Sequence, residues 1–189
     1  MSLLMLAVVL SLCVESRQRR FAILLGVPTI LLAVVGHTLP QGIGRWALVL
    51  GHLCEVAFLF GSAGLIVKSL FNSDALSADS IFGAVCGYLL LGLGWAVLYL
   101  MIEGFRPNSF AVSPALLGAE EPACIDPSVL SYYSFVTLTT VGYGDVTPIS
   151  PVTRTLAWIE AITGQFYLAV VVAGLVSKIA TKADLDQPS

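Results

Sequence analysis

Long apolar runs separated by short polar connections dominate the chain. Residues 81–102 carry no charged side chain, and residues 155–176 carry a single carboxylate. Because a helix needs about 20 mostly apolar residues to cross a bilayer, both runs are predicted to span a membrane. A third run, residues 46–67, is long enough but contains His52 and Glu55. Their spacing places them on one helix face, which favours structural pairing over pH sensing.

The first forty residues give weaker signals. Residues 21–37 form a shorter run with Pro28, which membrane helices tolerate, so a span is still predicted there. Residues 3–14 would reach only about 18 Å as a helix. A signal peptide fits poorly, because no basic region precedes this run and it has no small-residue cleavage site. A short or interfacial helix is one alternative; the end of a span whose start is missing from this chain is favoured.

A short helix is predicted between the last two spans. Asp126 can cap its free amides, and Pro127 suits the first helical position. The apolar and aromatic stretch that follows reaches Thr139, which gives roughly 20 Å of helix. That length is too short to cross, so the segment is predicted to enter the membrane and return. Irregular backbone at that depth is tolerated only where it lines a protein-buried or water-filled path.

Composition and charge strengthen the membrane prediction. Of the 189 residues, 57% are hydrophobic and 11% charged, whereas soluble domains carry about 25% charged residues. Positive residues concentrate in cytoplasmic connections of membrane proteins. That rule is met with six basic residues inside, leaving Arg45, Arg106 and Arg154 outside; the six are Arg17, Arg19, Arg20, Lys68, Lys178 and Lys182. The acidic connection 103–126 then lies outside, and the C-terminus is cytoplasmic.

The return from the short helix carries the candidate chemistry. Its residues Thr140-Val141-Gly142-Tyr143-Gly144, followed by Asp145, resemble the potassium channel signature TVGYG. The resemblance implies a selectivity filter in which four chains turn their carbonyl oxygens inward and replace the water shell of potassium ions. Aspartate in place of Tyr143 marks non-selective relatives, so tyrosine implies potassium over sodium. A chance turn between helices is the disfavoured alternative.

The filter interpretation assigns a role to each residue type. Gly142 and Gly144 supply the positive φ values that successive inward carbonyls require. The Thr140 hydroxyl is predicted to add the innermost oxygen ring. Asp145 and the acidic connection are expected to raise the local cation concentration. Tyr143 is predicted to point away from the pore and bind neighbouring pore helices, and the aromatic packing there would come from Tyr132 and Tyr133.

The last span holds the candidate gating residues. Gly164 lies where potassium channels of this kind have their proposed hinge; a small residue for close helix packing is an equal alternative. Gln165, Leu168 and Val172 share one helix face and are predicted to line the cavity. Glu160 is an intramembrane carboxylate, predicted to lie behind the filter, either hydrogen-bonded to the pore helix or protonated. Structural support is favoured over pH sensing for it.

The resemblance extends beyond the motif. Residues 75–178 look like the pore module of small bacterial ion channels of the two-helix pore superfamily. This implies an all-α membrane protein in which an outer helix, a re-entrant pore helix, a filter and an inner helix follow two or three further transmembrane helices in residues 1–74. Those helices lack the charged array of a voltage sensor. Gly83 and Gly87 form a GxxxG motif that weakly predicts close helix packing. Residues 179–189 form a short cytoplasmic tail.

The sequence therefore predicts passive potassium conduction by a homotetramer. One motif per chain requires three identical subunits as partners, in the cell membrane, which for this family is the bacterial inner membrane. No nucleophile–base set, phosphate loop or metal cluster appears, so no enzyme is expected. No nucleic-acid partner is expected either. A potassium uptake transporter subunit is a weaker alternative, since such subunits hold four degenerate loops on one long chain. A non-conducting regulatory or structural membrane subunit is another alternative.

Overall fold

The computed structural model describes residues 28–29, 31–32, 41–72, 78–117 and 125–185. The run 3–14, and most of the span predicted at 21–37, lie outside these residues. In chain order the described elements are α1 (Gln41–Asn72), α2 (Ala78–Phe105), β1 (Phe110–Val112), α3 (Pro114–Leu117), α4 (Pro127–Leu138), β2 (Val146–Pro148) and α5 (Pro151–Leu185). The prediction of an all-α membrane protein is confirmed, with the two three-residue strands as an addition.

Three described helices are long and apolar enough to cross a membrane. They are Trp46–Asn72 within α1, Ser80–Phe105 within α2 and Pro151–Lys178 within α5. Each is longer than the apolar run that predicted it: the first continues beyond residue 67 to Asn72, and the other two extend past both ends of their runs. Three of the predicted spans therefore exist as helices of sufficient length.

The chain forms two compact units, Met1–Phe60 and Gly61–Ser189. In the first unit, the helix α1 buries Phe58 completely and leaves Glu55 only 8% exposed. The ring nitrogen Nδ1 of His52 lies 2.8 Å from the carbonyl oxygen of Leu48, so the imidazole bonds its own helix.

The second unit is organised around the short helix α4, which packs against both α2 and α5. The helix begins as predicted. Asp126 has φ −61° and ψ 135°, and its carboxylate accepts a hydrogen bond of 2.7 Å from the Ser128 amide. Hydrogen bonding to the side chain and the amide of Ser128 lowers the pKa of the Asp126 carboxyl. Pro127 occupies the first helical position, and the helix has 12 residues, close to the predicted length.

The last turns of α1, residues 61–72, pack in the same unit as α2 and α5. Leu70 forms a buried cluster with Ala84 of α2 and Val171 of α5. The Tyr167 hydroxyl donates a hydrogen bond of 2.7 Å to the carbonyl oxygen of Ala84. At the far end of α5, the Lys178 ammonium donates to the carbonyl oxygen of Leu70. These contacts attach α5 to both preceding helices.

Glycines mark the closest helix contacts, but only part of the GxxxG prediction is confirmed. A Cβ built on Gly87 would collide with the Tyr167 hydroxyl, whereas one on Gly83 would meet neighbouring side chains at an ordinary 3.8 Å. A third glycine, Gly92, faces the ring of Phe135 from α4, and a Cβ built on it would lie only 2.8 and 2.9 Å from the Cζ and Cδ1 atoms of that ring. The sequence motif missed this position.

We expect Gly92→Ala to destabilise the protein and Gly83→Ala to have little effect. Alanine normally favours a helix over glycine by about 1 kcal/mol, so helix propensity alone predicts that both changes stabilise. Only at Gly92 must the Phe135 ring move, and overpacking costs about 1–3 kcal/mol. Thermal unfolding of the two variants in detergent checks this. Equal midpoints for both variants would contradict the close contact.

Candidate functional site

The motif segment, residues 140–144, follows α4 directly and alternates in backbone conformation. Gly142 and Gly144 have φ values of 58° and 79°, as the sequence predicts, and Thr140 has a φ of 58°. Val141 and Tyr143, which lie between them, are not in the positive-φ region. Nothing in the sequence indicated the Thr140 conformation, because a left-handed conformation costs an L-residue about 1–2 kcal/mol. The alternation therefore covers the whole segment and not only its glycines.

The lower part of the motif segment is fixed by the end of α4. The amides of Val141 and Gly142 both donate to the Val136 carbonyl oxygen, at 3.0 and 3.3 Å, and the Thr140 amide donates to that of Thr137 at 2.9 Å. These bonds use the amides and leave the carbonyl groups of the segment free. Within the described part of the chain, no donor contacts the carbonyl oxygens of residues 140–144. All five residues are exposed in the single chain.

Asp145 anchors the opposite end of the segment. Its Oδ2 accepts a hydrogen bond of 2.5 Å from the Tyr132 hydroxyl of α4, and its Oδ1 accepts one of 3.0 Å from the Val146 amide. Its carbonyl oxygen accepts a hydrogen bond of 2.7 Å from the Ser113 amide. The bond to Asp145 raises the pKa of Tyr132 to about 12. Both carboxylate oxygens and the backbone thus hold the end of the segment.

A two-stranded clamp, formed by β1 and β2, continues from Asp145. The strands are antiparallel, with Phe110 opposite Pro148 and Val112 opposite Val146. Since β1 follows α2 and β2 precedes α5, the pairing connects the loops on either side of α4. The clamp places both loops in a fixed register beside the motif segment.

Polar groups close the base of the two-stranded clamp. The Ser109 carbonyl oxygen accepts hydrogen bonds from the Ile149 amide at 2.8 Å and from the Thr153 hydroxyl at 3.1 Å. The Glu103 carboxylate, at the end of α2, accepts from the amides of Asn108 and Ser109 at 2.7 and 3.0 Å. Glu103 therefore orders the turn after α2, a role that the sequence did not indicate.

Tyr133 lies in an aromatic cluster of its own chain. Its ring centroid is 5.3 Å from that of Tyr99 and 5.1 Å from that of Phe110, with edge-to-face angles of 67° in both pairs. Such edge-to-face pairs stabilise beyond their buried area. In the single chain, Tyr133 and Tyr132 thus have different roles, since Tyr132 binds Asp145 and Tyr133 packs between α2 and β1.

Glu160 is fully buried and connects three helices. Its Oε2 accepts a hydrogen bond of 2.7 Å from the Tyr99 hydroxyl of α2. Its Oε1 lies 2.6 Å from Oγ of Ser134, and that same hydroxyl oxygen lies 2.7 Å from the carbonyl oxygen of Gly92. The sequence pointed to a polar contact with α4 but identified neither Ser134 nor Tyr99.

Of the other candidate residues of α5, Gly164 is buried, whereas Gln165, Leu168 and Val172 are exposed in the single chain. Gly164 is buried against the end of α4, where an added Cβ would collide with the Leu138 carbonyl oxygen. Gln165 lies beside the motif segment, its Nε2 atom 3.4 Å from the Thr140 Oγ1. Leu168 and Val172 are exposed in the single chain, 43% and 54%, on the same helix face.

A groove runs between the motif segment and α5. It is lined by residues of α4, of the motif segment, of β2 and of α5, among them Thr137, Gly142, Gly144 and Trp158. Large apolar side chains beside it are exposed in the single chain: Tyr143 is 71% exposed and Trp158 57%. Exposed apolar surface beside a groove is typical of an interaction surface.

Known proteins match the part of the chain that contains this site. A family model described as "ion channel" matches residues 88–181, which contain α4, the motif segment and most of α5. The protein LctB of Geobacillus stearothermophilus is 34% identical over 117 residues, and the match covers 85% of its length. LctB of Bacillus caldotenax is 38% identical over 126 residues, with 92% of its length covered.

This chain belongs to the ion channel family. A further relative is the inward rectifier potassium channel Kirbac3.1 of Paramagnetospirillum magnetotacticum, which is 33% identical over 90 residues; that match covers 43% of this chain and 29% of the relative. No solved structure matches the chain. The prediction of a bacterial potassium channel family from the motif and its flanking helices is thus confirmed, and residues 88–181 are the part of the chain that carries it.

Proposed function

We propose that this ion channel family member is one subunit of a homotetrameric pore that conducts potassium ions selectively and passively. One observation carries the proposal: the motif segment presents consecutive carbonyl groups without any donor from the described chain, on a backbone that alternates in φ. Carbonyl oxygens stacked in rings are what replaces the water shell of a potassium ion. The potassium channel named among the relatives supports the choice of ion.

The residues of the motif segment supply the proposed binding sites. The carbonyl oxygens of Thr140, Val141, Gly142 and Tyr143 form successive rings, and the Thr140 hydroxyl forms the innermost one. Gly144 gives the last turn its conformation, and Asp145 attracts cations to the mouth. Buried carbonyl groups need a partner, and in this arrangement a dehydrated cation is that partner.

The proposed pore contains four copies of the chain, because a filter of this type is built from four loops and each chain carries one. A closed ring of identical chains requires cyclic symmetry. The exposed Tyr143 and Trp158 beside the groove then meet a neighbouring subunit, and Gln165, Leu168 and Val172 face the cavity on the axis. Gly164 allows α5 to approach the end of α4 closely enough for that arrangement. The chain spans the cell membrane several times, with its C-terminus in the cytoplasm, as the basic residues favour.

Ion flux from purified protein in liposomes tests the proposal. We expect a potassium gradient to drive flux that barium blocks, with sodium flux at least tenfold lower. Empty liposomes and protein with Gly142→Ala serve as controls. Equal sodium flux would contradict selectivity, and absence of flux from an intact tetramer under every condition would favour a regulatory or structural subunit.

A further inference from the structure

A buried polar group connects the three helices α2, α4 and α5. Glu160 lies on α5, Tyr99 on α2 and Ser134 on α4, and Glu160 and Ser134 have no exposed surface. The three side chains and the Gly92 carbonyl group form one continuous series of contacts. Each helix contributes one side chain, so the position of α4 between its neighbours is set by polar contacts as well as packing.

Comparing the number of short contacts in this group with the number of available hydrogens shows whether Glu160 is protonated. Three oxygen–oxygen contacts are present: Tyr99 to Glu160 at 2.7 Å, Glu160 to Ser134 at 2.6 Å and Ser134 to Gly92 at 2.7 Å. Each is within the range of a single O–H···O bond and therefore needs its own hydrogen. A tyrosine and a serine hydroxyl supply one hydrogen each. With a carboxylate, one contact would bring two acceptors together without a hydrogen.

If Glu160 were a carboxylate, a hydrogen would be missing at Ser134. Its single hydrogen would have to serve both Glu160 and the Gly92 carbonyl oxygen, and both contacts are too short for a shared hydrogen. Nor does a cation compensate a charge at Glu160, since no ion pair to it is present in the described ranges. An uncompensated buried charge is strongly unfavourable.

We propose that Glu160 is a neutral carboxylic acid whose own hydrogen is donated to Ser134. The series then has one direction: Tyr99 donates to Glu160, Glu160 donates to Ser134, and Ser134 donates to the Gly92 carbonyl oxygen. Every contact has a hydrogen, and no donor or acceptor in it is left unpaired. Glu160 is a positioning residue, because it contacts α4 and not the motif segment.

The position of the motif segment depends on this acid through α4. Ser134 lies on the same short helix as Val136 and Thr137, whose carbonyl oxygens bind the amides of the motif segment. Holding Ser134 against α2 and α5 therefore fixes the base of the proposed filter. This consequence rests on the proposed function, whereas the protonation of Glu160 does not.

Infrared difference spectroscopy of the full chain in lipid vesicles tests the protonation directly. We expect the wild type to show a C=O stretching band of a protonated carboxylic acid that Glu160→Gln lacks. Glutamine is the matched control, because its amide nitrogen can donate to Ser134 and its oxygen can accept from Tyr99. If the difference spectrum shows carboxylate bands at neutral pH instead, the inference is wrong.

A second variant guards against misfolding of the first. Tyr99→Phe removes the donor to the acid carbonyl but leaves the acid hydrogen, so we expect the same band at higher frequency with unchanged area. A band that does not move would contradict the assigned direction.

Potassium flux separates the two proposals. Glu160→Gln should retain flux and thermal stability, whereas Glu160→Leu, which has no polar atom, should lose both. Glu160→Gln with impaired flux and unchanged unfolding would contradict the positioning role. An acid band in a wild type that conducts nothing would leave the protonation intact and contradict the channel.

Discussion

Gly142→Ala is expected to abolish potassium flux while leaving the fold of each chain intact. The residue has a φ of 58°, where an L-residue is about 1–2 kcal/mol less stable than glycine. In a proposed four-fold filter the penalty occurs four times at one axis, about 4–8 kcal/mol in total. A penalty of about 4 kcal/mol lowers the population of the intact filter roughly a thousandfold.

The steric surroundings make this prediction specific to backbone conformation. In the single chain, a Cβ on Gly142 meets nothing within 4 Å, and the same is true of Gly104 in α2. Gly104→Ala is therefore the matched control, since it adds the same methyl group where φ is not positive. Liposome flux measures both variants. Normal flux from Gly142→Ala would show that the alternation of φ is not needed for conduction.

Gly164→Ala is expected to destabilise the protein by about 1–3 kcal/mol, the usual cost of overpacking. A Cβ at this position would meet the Leu138 carbonyl oxygen and lie 3.1 Å from the carbonyl carbon. The obstacle is backbone at the end of α4 and not a flexible side chain, so α5 must move away from the motif segment. The structure thus supports close packing as the role of Gly164, while hinge bending stays a prediction.

A stability measurement distinguishes the two roles. If Gly164 served only as a hinge, alanine would stiffen α5 and stabilise it by about 1 kcal/mol. Gly64→Ala in α1 is the matched control, because a Cβ there meets nothing within 4 Å of the described chain. Urea or thermal unfolding in detergent gives the comparison. A Gly164→Ala variant as stable as the Gly64→Ala variant would rule out the packing role.

Local signals in the sequence predicted the parts of the site that lie close together in the chain. Asp126 and Pro127 marked the start of α4 because a cap and a first-turn proline act on adjacent residues. Gly142 and Gly144 marked positive φ because glycine alone adopts it freely. Both features depend on neighbours in sequence, and both are present in the structure.

Contacts between residues far apart in the sequence could not be predicted from the pattern of residue types. Tyr99 and Glu160 are 61 positions apart, and a tyrosine in an apolar run gives no sign of its partner. Gly92 showed no GxxxG spacing, although a Cβ there would lie closer to Phe135 than a Cβ on Gly83 would lie to any neighbour. The strands β1 and β2 have three residues each, too few for a period-two pattern. Tertiary packing alone determines these features.

The donor-free carbonyl groups of the motif segment also bear on how the protein assembles. In a nonpolar surrounding, each unpaired carbonyl group costs several kcal/mol. In the proposed pore, these carbonyl groups acquire a potassium ion as their partner only when the subunits associate. Oligomer formation and potassium binding both then favour the native state by mass action. The midpoint of denaturation should accordingly rise with protein concentration and with added potassium salt. An isolated subunit would lack both sources of stability.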